Sequence, residues 1–307
     1  MRIASIDIGT NTVLLLIAET QNGKIIPLRN EYRMPRLGKS LIPGGNILDD
    51  RIEELLDILK EYRQYIDESA CEIILANATN AFRIASNSGQ IIKRVKNETG
   101  IDINIIPGTE EARFSFLGAA SAVNSEKAKM VIDVGGGSTE IILGSNTEIT
   151  YSKSFPVGTV RLTEKFFRND PPLPEEKEAL LNCLAEMFEE LKNKIIKPVE
   201  VIAVAGTPTS LSCMKQNLKE YIEEKVENSL LSTADFESLI SEMEVLTSDE
   251  ILKRFGNVIK GRNDVILSGA YLLNFLLKMN GLSEMIISSK GIRYGAVADF
   301  LNREKMQ

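Results

Sequence analysis

One phrase occurs twice in this chain, and it constrains the fold more than any other feature. The first copy is Ile3-Ala4-Ser5-Ile6-Asp7-Ile8-Gly9-Thr10-Asn11-Thr12-Val13-Leu14-Leu15-Leu16-Ile17-Ala18. The second runs from Lys129 through Val131-Ile132-Asp133-Val134-Gly135-Gly136-Gly137-Ser138-Thr139-Glu140 to Gly144. Each copy is an apolar strand ending in Asp-x-Gly, a short run of small polar residues, and a second apolar strand. Asp7 matches Asp133 and Gly9 matches Gly135. Either copy alone reads equally well as a hairpin with a glycine turn. A repeated pattern is far more specific, and it predicts two similar halves facing each other across a cleft. Glycine lets backbone N–H groups approach a ligand closely, and such loops form nests for anions, phosphate above all. Ser138 and Thr139 add hydroxyl donors. Asp133 stands where it can hold a metal through water, opposite the phosphate.

A length of 307 residues suits two domains of roughly 150 each. The boundary is expected in or just after the helix spanning Glu110 to Val123. This gives an N-terminal lobe over 1–123 and a C-terminal lobe over 124–290, with a terminal helix at 291–307 that packs back on the first. A net charge of −7 argues against a general nucleic-acid binder, although local fields still permit a polyanionic ligand. The chain has no histidine, so Ser-His-Asp and Cys-His chemistry and histidine-ligated metals are excluded. Acid–base work falls to carboxylates or lysine. Cys71, Cys183 and Cys213 are scattered, with no CxxC pair, which suits a reducing cytoplasm without disulfides or a zinc site. No signal-peptide pattern opens the chain, and Val13 to Ala18 is too short to span a bilayer. The expectation is a cytoplasmic protein with no membrane partner.

Further turns at strand ends extend the theme. A strand from Gly23 to Asn30 follows the first hairpin, and the helical spacing of Ile52, Leu55, Leu56, Leu59 and Tyr62 predicts a packing helix. Arg83 lies just past the strand Glu72 to Ala76, where α/β proteins place ligand contacts; a plain surface arginine is the alternative. Thr109 is the expected cap of the next helix, with Glu110 and Glu111 in its first turn. Adjacent helix residues point roughly 100° apart, so at most one of the two acids faces a cleft. A carboxylate at a helix start is expected to stay ionised, which suits a base or a water-orienter. In the second half, Gly158-Thr159 and Gly206-Thr207 give two more small polar turns, and Arg161 is another candidate phosphate contact. Pro174 to Lys194 reads as one amphipathic helix, and 217–250 as helical and polar.

The paired Asp-x-Gly hairpins resemble the actin-like (RNase H-like) sugar- and acetate-kinase phosphotransferases, which implies an α/β fold of two lobes, each a mixed sheet flanked by helices. More closely, IDIGTNT, ATNAFRIASN, GTEEARF, VIDVGGGSTE, PVGTVRLTE, AGTPTSL and the tail from RNDVILSGA to SSKGIRYG resemble the exopolyphosphatase / guanosine pentaphosphate phosphohydrolase family. These motifs run in order from residue 3 to about 296, in the short two-domain form. The resemblance implies hydrolysis of terminal phosphoanhydride bonds in inorganic polyphosphate, guanosine pentaphosphate or both, with Mg2+ or another divalent cation. It makes Glu111 the residue that activates the attacking water and Asp7, Asp133 and Glu140 the metal-holding or water-positioning acids. It assigns phosphate to Arg83 and to Gly9, Thr10, Asn11, Gly135, Gly136, Gly137, Ser138 and Thr139; the turn at Gly206 and Thr207 joins them as a third loop. A homodimer is a further expectation.

Two departures touch this resemblance. Val226-Glu227-Asn228 stands where members often carry Val-His-Gly, and Ile292-Arg293-Tyr294-Gly295 where Leu-Arg-Glu-Gly is usual. Both lie outside the candidate acids, so they bear on substrate preference more than on reaction class. Two rivals stay open from sequence: an ATP-dependent kinase or ATPase of the same fold, and a non-catalytic sensor that binds alarmone nucleotides.

Overall fold

A computed structural model describes residues 1–21, 24–123, 125, 127–145, 148–194 and 199–305. The chain forms two compact units, Met1–Gly118 with Lys290–Gln307, and Ala119–Ser289. The first contains strands β1 (Arg2–Ile8), β2 (Val13–Gln21) and β3 (Lys24–Arg33), helix α1 (Asp49–Glu68), β4 (Ile73–Ala78), α2 (Asn80–Ile84), α3 (Ser88–Thr99), β5 (Ile103–Ile105) and α4 (Gly108–Ala120). The second holds β6 (Ala128–Val134), β7 (Thr139–Ser145), β8 (Glu148–Phe155), α5 (Thr159–Phe166), α6 (Pro174–Met187), β9 (Val199–Val204), α7 (Gly206–Lys215), α8 (Glu223–Val226), β10 (Leu230–Ser232), α9 (Thr233–Met243), α10 (Ser248–Phe255), α11 (Ile266–Met279) and β11 (Glu284–Ile287). Helix α12 (Ile292–Lys305) returns to the first unit.

The two sheets have one plan. The first runs β3-β2-β1-β4-β5 and the second β8-β7-β6-β9-β11, with β10 added at the edge. In each, a hairpin and an outer strand are antiparallel, while β1–β4–β5 and β6–β9–β11 are parallel. The duplicated mixed-sheet architecture is the one the repeated hairpin calls for. The repetition extends to register: Asp7 lies opposite Leu14, and Asp133 opposite Glu140. Each hairpin also bulges at the same place on its way to the outer strand, between Ile17 and Ala18 and between Leu143 and Gly144.

Alternation along each strand divides its side chains between two faces. Ala4, Ile6 and Ile8 of β1 enter a core with α1 residues Leu55, Leu59 and Tyr62 and α3 residues Ile91 and Val95. Ile3, on the opposite face, packs with Tyr294 and Val297 of α12, so Asp7 shares the α12 side. In the second unit Met130, Ile132 and Val134 enter a core with α5, α6, α7, α9 and α11, which leaves Asp133 on the other face. Helix α11 is apolar nearly all round, and its Ile266, Leu272, Leu273, Leu276 and Leu277 are all buried in that core.

Several boundaries differ from the sequence expectation. The expected strand from Gly23 starts at Lys24 among the described residues and continues to Arg33, because Glu31, Tyr32 and Arg33 pair with β2; Gly23 itself lies outside the described residues. The long helix from Pro174 stops at Met187 and gives way to a 3-10 turn at Glu189–Asn193. The 217–250 region is not uniformly helical: Leu230–Ser232 pairs with β11, a contact set by residues more than 50 positions away that no local pattern reveals. Helix α4 begins at Gly108, and the N–H groups of Glu110 and Glu111 both donate to the Pro107 carbonyl, so Thr109 lies inside the first turn and does not cap it.

Candidate active site

Each hairpin tip closes in the same way. The Gly9 N–H donates to the Thr12 carbonyl at 2.8 Å, and the Gly135 N–H to the Ser138 carbonyl at 3.0 Å. Behind each tip, N–H groups of a later segment take up the loop carbonyls. Arg36 donates to Asn11 at 3.1 Å and Gly38 to Thr10 at 2.8 Å. Thr159 donates to Gly135 at 3.0 Å, and Val160 and Arg161 donate to Gly136 at 3.0 and 3.3 Å. Holding the carbonyls from behind turns the acceptors away from a ligand, which is what an anion-binding loop requires. The first turn of α5 is therefore engaged with the loop, and Arg161 Nη1 donates to the Pro156 carbonyl at 3.3 Å. The Gly158 turn thus serves the Gly135 loop as its backing.

Thr139 belongs with this scaffold as well. It is fully buried, and its hydroxyl donates to the Val157 carbonyl at 2.6 Å. That bond ties the loop to the segment entering α5 and takes up the hydroxyl proton of Thr139. Gly9, Thr10, Asn11 and Gly135 are half-buried, whereas Gly136, Gly137 and Ser138 are buried.

The acids divide sharply. Asp133 and Glu140 are cross-strand neighbours in the antiparallel register, so their carboxylates lie on one face of the hairpin. Both are buried, and Ser154, opposite Glu140 on β8, donates its hydroxyl to Glu140 Oε1 at 2.6 Å. In the first hairpin the position of Glu140 is taken by Leu14, so Asp7 has no carboxylate across the strand; its other register neighbour is Asn77 on β4. Among the described residues no group of three or more carboxylates or cysteines is placed to hold a metal by itself.

Helix α4 separates its two adjacent acids. Glu110 pairs with Arg303 of α12 at 3.5 Å, while Glu111 is buried and meets Arg83, whose Nη1 donates to Glu111 Oε2 at 2.6 Å. The same Arg83 nitrogen donates to the Ile106 carbonyl at 2.9 Å. Arg83 is carried there by α2, whose Ala81 and Phe82 face the α1–α3 core. A sequence-expected phosphate ligand and a sequence-expected base are thus brought into one charge-assisted pair.

The third glycine turn is a helix start. Gly206 opens α7, and its backbone is met by a guanidinium: a Cβ there would lie 2.1 Å from Arg262 Nη2 and 2.5 Å from its Cζ. Only glycine admits Arg262 at that place. Thr207 is buried, and a Cβ on Gly269 of α11 would meet its methyl at 2.4 Å, so that close packing occupies one side of Thr207. The residue before Gly206, Ala205, has φ +83° and ψ −176°, a region rarely adopted by residues with a side chain. Sequence reasoning missed Arg262. The only available signal was a basic residue between two helices, whose reach to Gly206 is a tertiary fact.

The two departures from the family pattern have structural roles. Glu227 accepts from the Ser288 hydroxyl at 2.8 Å and from the Ser289 N–H and hydroxyl at 2.7 and 2.9 Å, which anchors the end of β11. Tyr294 is buried among Ile3, Leu16 and Val297.

Comparison with known proteins agrees with this geometry. The model of the Ppx/GppA phosphatase family matches residues 16–304. The chain is 33% identical over 312 aligned positions to a bifunctional 3-dehydroquinate synthase/phosphatase of Fusobacterium nucleatum, covering 96% of this chain but only 46% of that longer protein. It thus spans about half the length of that relative. It is 29% identical to exopolyphosphatase 2 of Mycobacterium tuberculosis, covering 96% of this chain and 97% of that one. Among solved structures, an Aquifex aeolicus PPX-GPPA enzyme superposes with TM-score 0.86 at 34% identity, covering 97% and 99% of the two chains. An exopolyphosphatase from Cytophaga hutchinsonii superposes with TM-score 0.91 at 32% identity, covering 98% of each. With a family model spanning nearly the whole sequence and a matching architecture, this chain belongs to the Ppx/GppA phosphatase family.

Proposed function

We propose that this chain hydrolyses the terminal phosphoanhydride bond of inorganic polyphosphate or guanosine pentaphosphate and releases orthophosphate. The observation that carries the reading is the buried Glu111, fixed at one carboxylate oxygen by Arg83 in a unit that also presents the Asp7 glycine loop. Such hydrolysis needs positioning and charge neutralisation more than covalent chemistry. In this reading the N–H groups of Gly9, Thr10, Asn11, Gly135, Gly136 and Gly137, with the Ser138 hydroxyl, hold the phosphate oxygens. The turn at Gly206 adds its backbone and the neighbouring Arg262. Glu111 accepts a proton from a water molecule as its oxygen attacks the terminal phosphorus in line. The bond to the bridging oxygen breaks, and the shortened chain leaves as the anion. Arg83 holds Glu111 in place and lies close enough to the same reaction centre to share in binding phosphate.

A divalent cation fits the donor set. Magnesium is usually bound by one or two carboxylates, with substrate phosphates and water completing its shell, so a three-acid cage is not needed. Asp133 and Glu140, side by side on one hairpin face, are the pair that suits it, with Asp7 as the matching acid of the first hairpin. When bound, the cation neutralises charge on the phosphate oxygens.

The experiment is phosphate release from long-chain polyphosphate and from guanosine pentaphosphate, each with and without magnesium. Metal-dependent release from at least one is expected; release from neither, with nucleotide still bound, would make the chain a sensor. Consumption of ATP that depends on a second small molecule would make it a kinase. Glu111→Gln should lower kcat by about 10²–10⁴-fold, the usual contribution of a general base, without changing the fold. Near-normal turnover in that variant removes Glu111 from its role.

A further inference from the structure

The two sheets end on outer strands at matching places in the plan, and those strands differ. β8 closes the second sheet with Glu148, Thr150, Ser152, Lys153 and Ser154 exposed and no exposed large apolar side chain. β3 closes the first with Ile26, Leu28 and Tyr32 exposed, Leu28 to 49%. Among the described residues β3 pairs only with β2, so no strand lies along its other edge. A free edge of this kind is a template for another strand unless charge, proline or a bulge blunts it. Here the blunting is confined to one end. Pro27 has no N–H, and the register with β2 slips beside it, where Leu28 is the extra residue. From Leu28 to Arg33 the strand runs on without interruption.

The faces of that stretch are fixed by its neighbours. Arg29 lies over the Tyr65 ring of α1 at 3.8 Å, and Arg33 Nε donates to Glu61 of α1 at 3.2 Å. Asn30 turns to the other side, where Arg293 Nη1 of α12 donates to its Oδ1 at 3.1 Å. Alternation therefore sets Arg29, Glu31 and Arg33 on the α1 face and Leu28, Asn30 and Tyr32 on the α12 face. Arg29 Nε is 3.5 Å from Glu31 Oε1, so the α1 face carries charges of alternating sign along the strand.

A second copy related by a two-fold axis perpendicular to the sheet would set its β3 antiparallel to the first and oppose residues of the same face. The axis then passes through one residue, and charge selects which. A centre on Arg29 opposes the two Arg29 side chains. A centre on Glu31 opposes the two Glu31 side chains, and Arg29 to the partner's Arg33. A centre on Leu28 runs the pairing across Pro27, and a centre on Tyr32 leaves only Glu31 to Arg33 within the strand. A centre on Asn30 opposes Arg29 to the partner's Glu31 and Leu28 to the partner's Tyr32, each twice by symmetry. Opposite charges and apolar pairs directly across a strand pair stabilise it, and like charges destabilise it.

We infer that β3 is a docking edge for a second copy of this chain, paired antiparallel about Asn30, so that two first sheets join into one. The contact is a strand pair and therefore small, which makes the association weak and concentration-dependent. It is independent of the phosphohydrolase reading, because no residue assigned to phosphate or water takes part.

The test is sedimentation of the full chain from about 1 μM to about 1 mM, a span that covers moderate and weak affinities. The wild type should pass from monomer to dimer within it. Arg29→Glu and Glu31→Arg each place like charges opposite one another at both symmetric positions, and each should raise the dimer Kd by about tenfold or more. An equimolar mixture of the two variants opposes unlike charges again and should associate with a Kd within about threefold of wild type. Arg29 also rests on Tyr65, and Glu31 also accepts from Arg33, so thermal unfolding of each variant is recorded alongside. A further arm leaves these charges in place. Opposite residues of an antiparallel pair lie about 4.5–5.5 Å apart at Cα, within the reach of a disulfide. Oxidised Asn30→Cys should therefore form a covalent dimer, while Tyr32→Cys, which faces the partner's Leu28, should form no more than the wild type with its own Cys71, Cys183 and Cys213. A wild type that stays monomeric throughout overturns the inference. So do folded charge variants that associate like the wild type, a mixture that fails to restore association, or cross-linking of Tyr32→Cys equal to that of Asn30→Cys.

Discussion

The two glycine hairpins share register, tip closure and bulge, yet they are backed differently. The first tip rests on an irregular segment in which Arg36 and Ser40 adopt left-handed φ angles of 53° and 57°. The second rests on the first turn of a helix, with Gly158 in backbone contact with Gly135 and Gly136. The donors behind the second tip are the first-turn N–H groups of α5, which have no partner inside their own helix and so are available to the loop carbonyls. The chemistry also differs, since the second hairpin pairs Asp133 with Glu140 and the first pairs Asp7 with Leu14. Duplication supplied two copies of one frame. Divergence made one copy helix-backed and doubly acidic, and left the other half-buried and singly acidic.

Substitutions behind the tips test that contrast, beginning with the largest effect. Gly158→Ala places a methyl 2.6 Å from the backbone of Gly135 and Gly136, where no side chain can move aside. Displacing the loop by even part of an ångström should cost about 10²-fold in activity, measured as phosphate release from the folded variant. Retained activity would show that the second tip is not rigid. Thr139→Val removes the hydroxyl that donates to Val157 and leaves a buried carbonyl without that partner. Chemical denaturation should show a loss of about 1–3 kcal/mol.

The matching probes in the first unit should be milder. Tyr62 of α1 donates its hydroxyl to the Val13 carbonyl at 2.9 Å, just past the first tip, and Tyr62→Phe should cost about 1 kcal/mol in the same assay. At Gly38 an added methyl meets mainly the Thr10 Cγ2 atom, at 2.1 Å, with the nearest backbone oxygen at 3.3 Å. Rotating Thr10 relieves the clash at about 1 kcal/mol, so Gly38→Ala should retain far more activity than Gly158→Ala. Equal losses from the two glycine substitutions would erase the distinction between the tips.

The smallest effect concerns the three thiols. Burial pushes Cys213 up to about 11, and the nearby Arg262 guanidinium offsets this only in part. A thiol with a raised pKa is a poor nucleophile, since the thiolate is the reactive form. Labelling at neutral pH should therefore leave Cys213 unmodified while half-buried Cys183 reacts. Rapid modification of Cys213 would mean that the α7 region opens readily.

Much of this arrangement was legible in the chain because its determinants are local. The alternation of apolar residues on either side of Asp-x-Gly sets strand, turn and strand within sixteen residues, and a second copy implies a second sheet of the same plan. The adjacent acids of α4 follow the same logic: roughly 100° per residue allows only one of them to turn inward, and Glu111 does. What local pattern could not assign was partnership. Thr139 and Ser138 are equivalent hydroxyls in sequence, yet only Thr139 is drawn to the Val157 carbonyl by the strand that follows.

Local pattern alone establishes two sheets of one plan, where their glycine tips lie, and which few acids can do chemistry in a chain without histidine. Its motifs sufficed to place it among the Ppx/GppA phosphatases. The closed fold set which face each acid takes, that Arg83 binds Glu111, that Arg262 lies over Gly206, and that Leu230–Ser232 extends the second sheet. The reason is range. Strand and turn choice is settled by side-chain periodicity over a few residues. A hydrogen bond or ion pair between residues 20 to 60 positions apart depends on how the sheets and helices close.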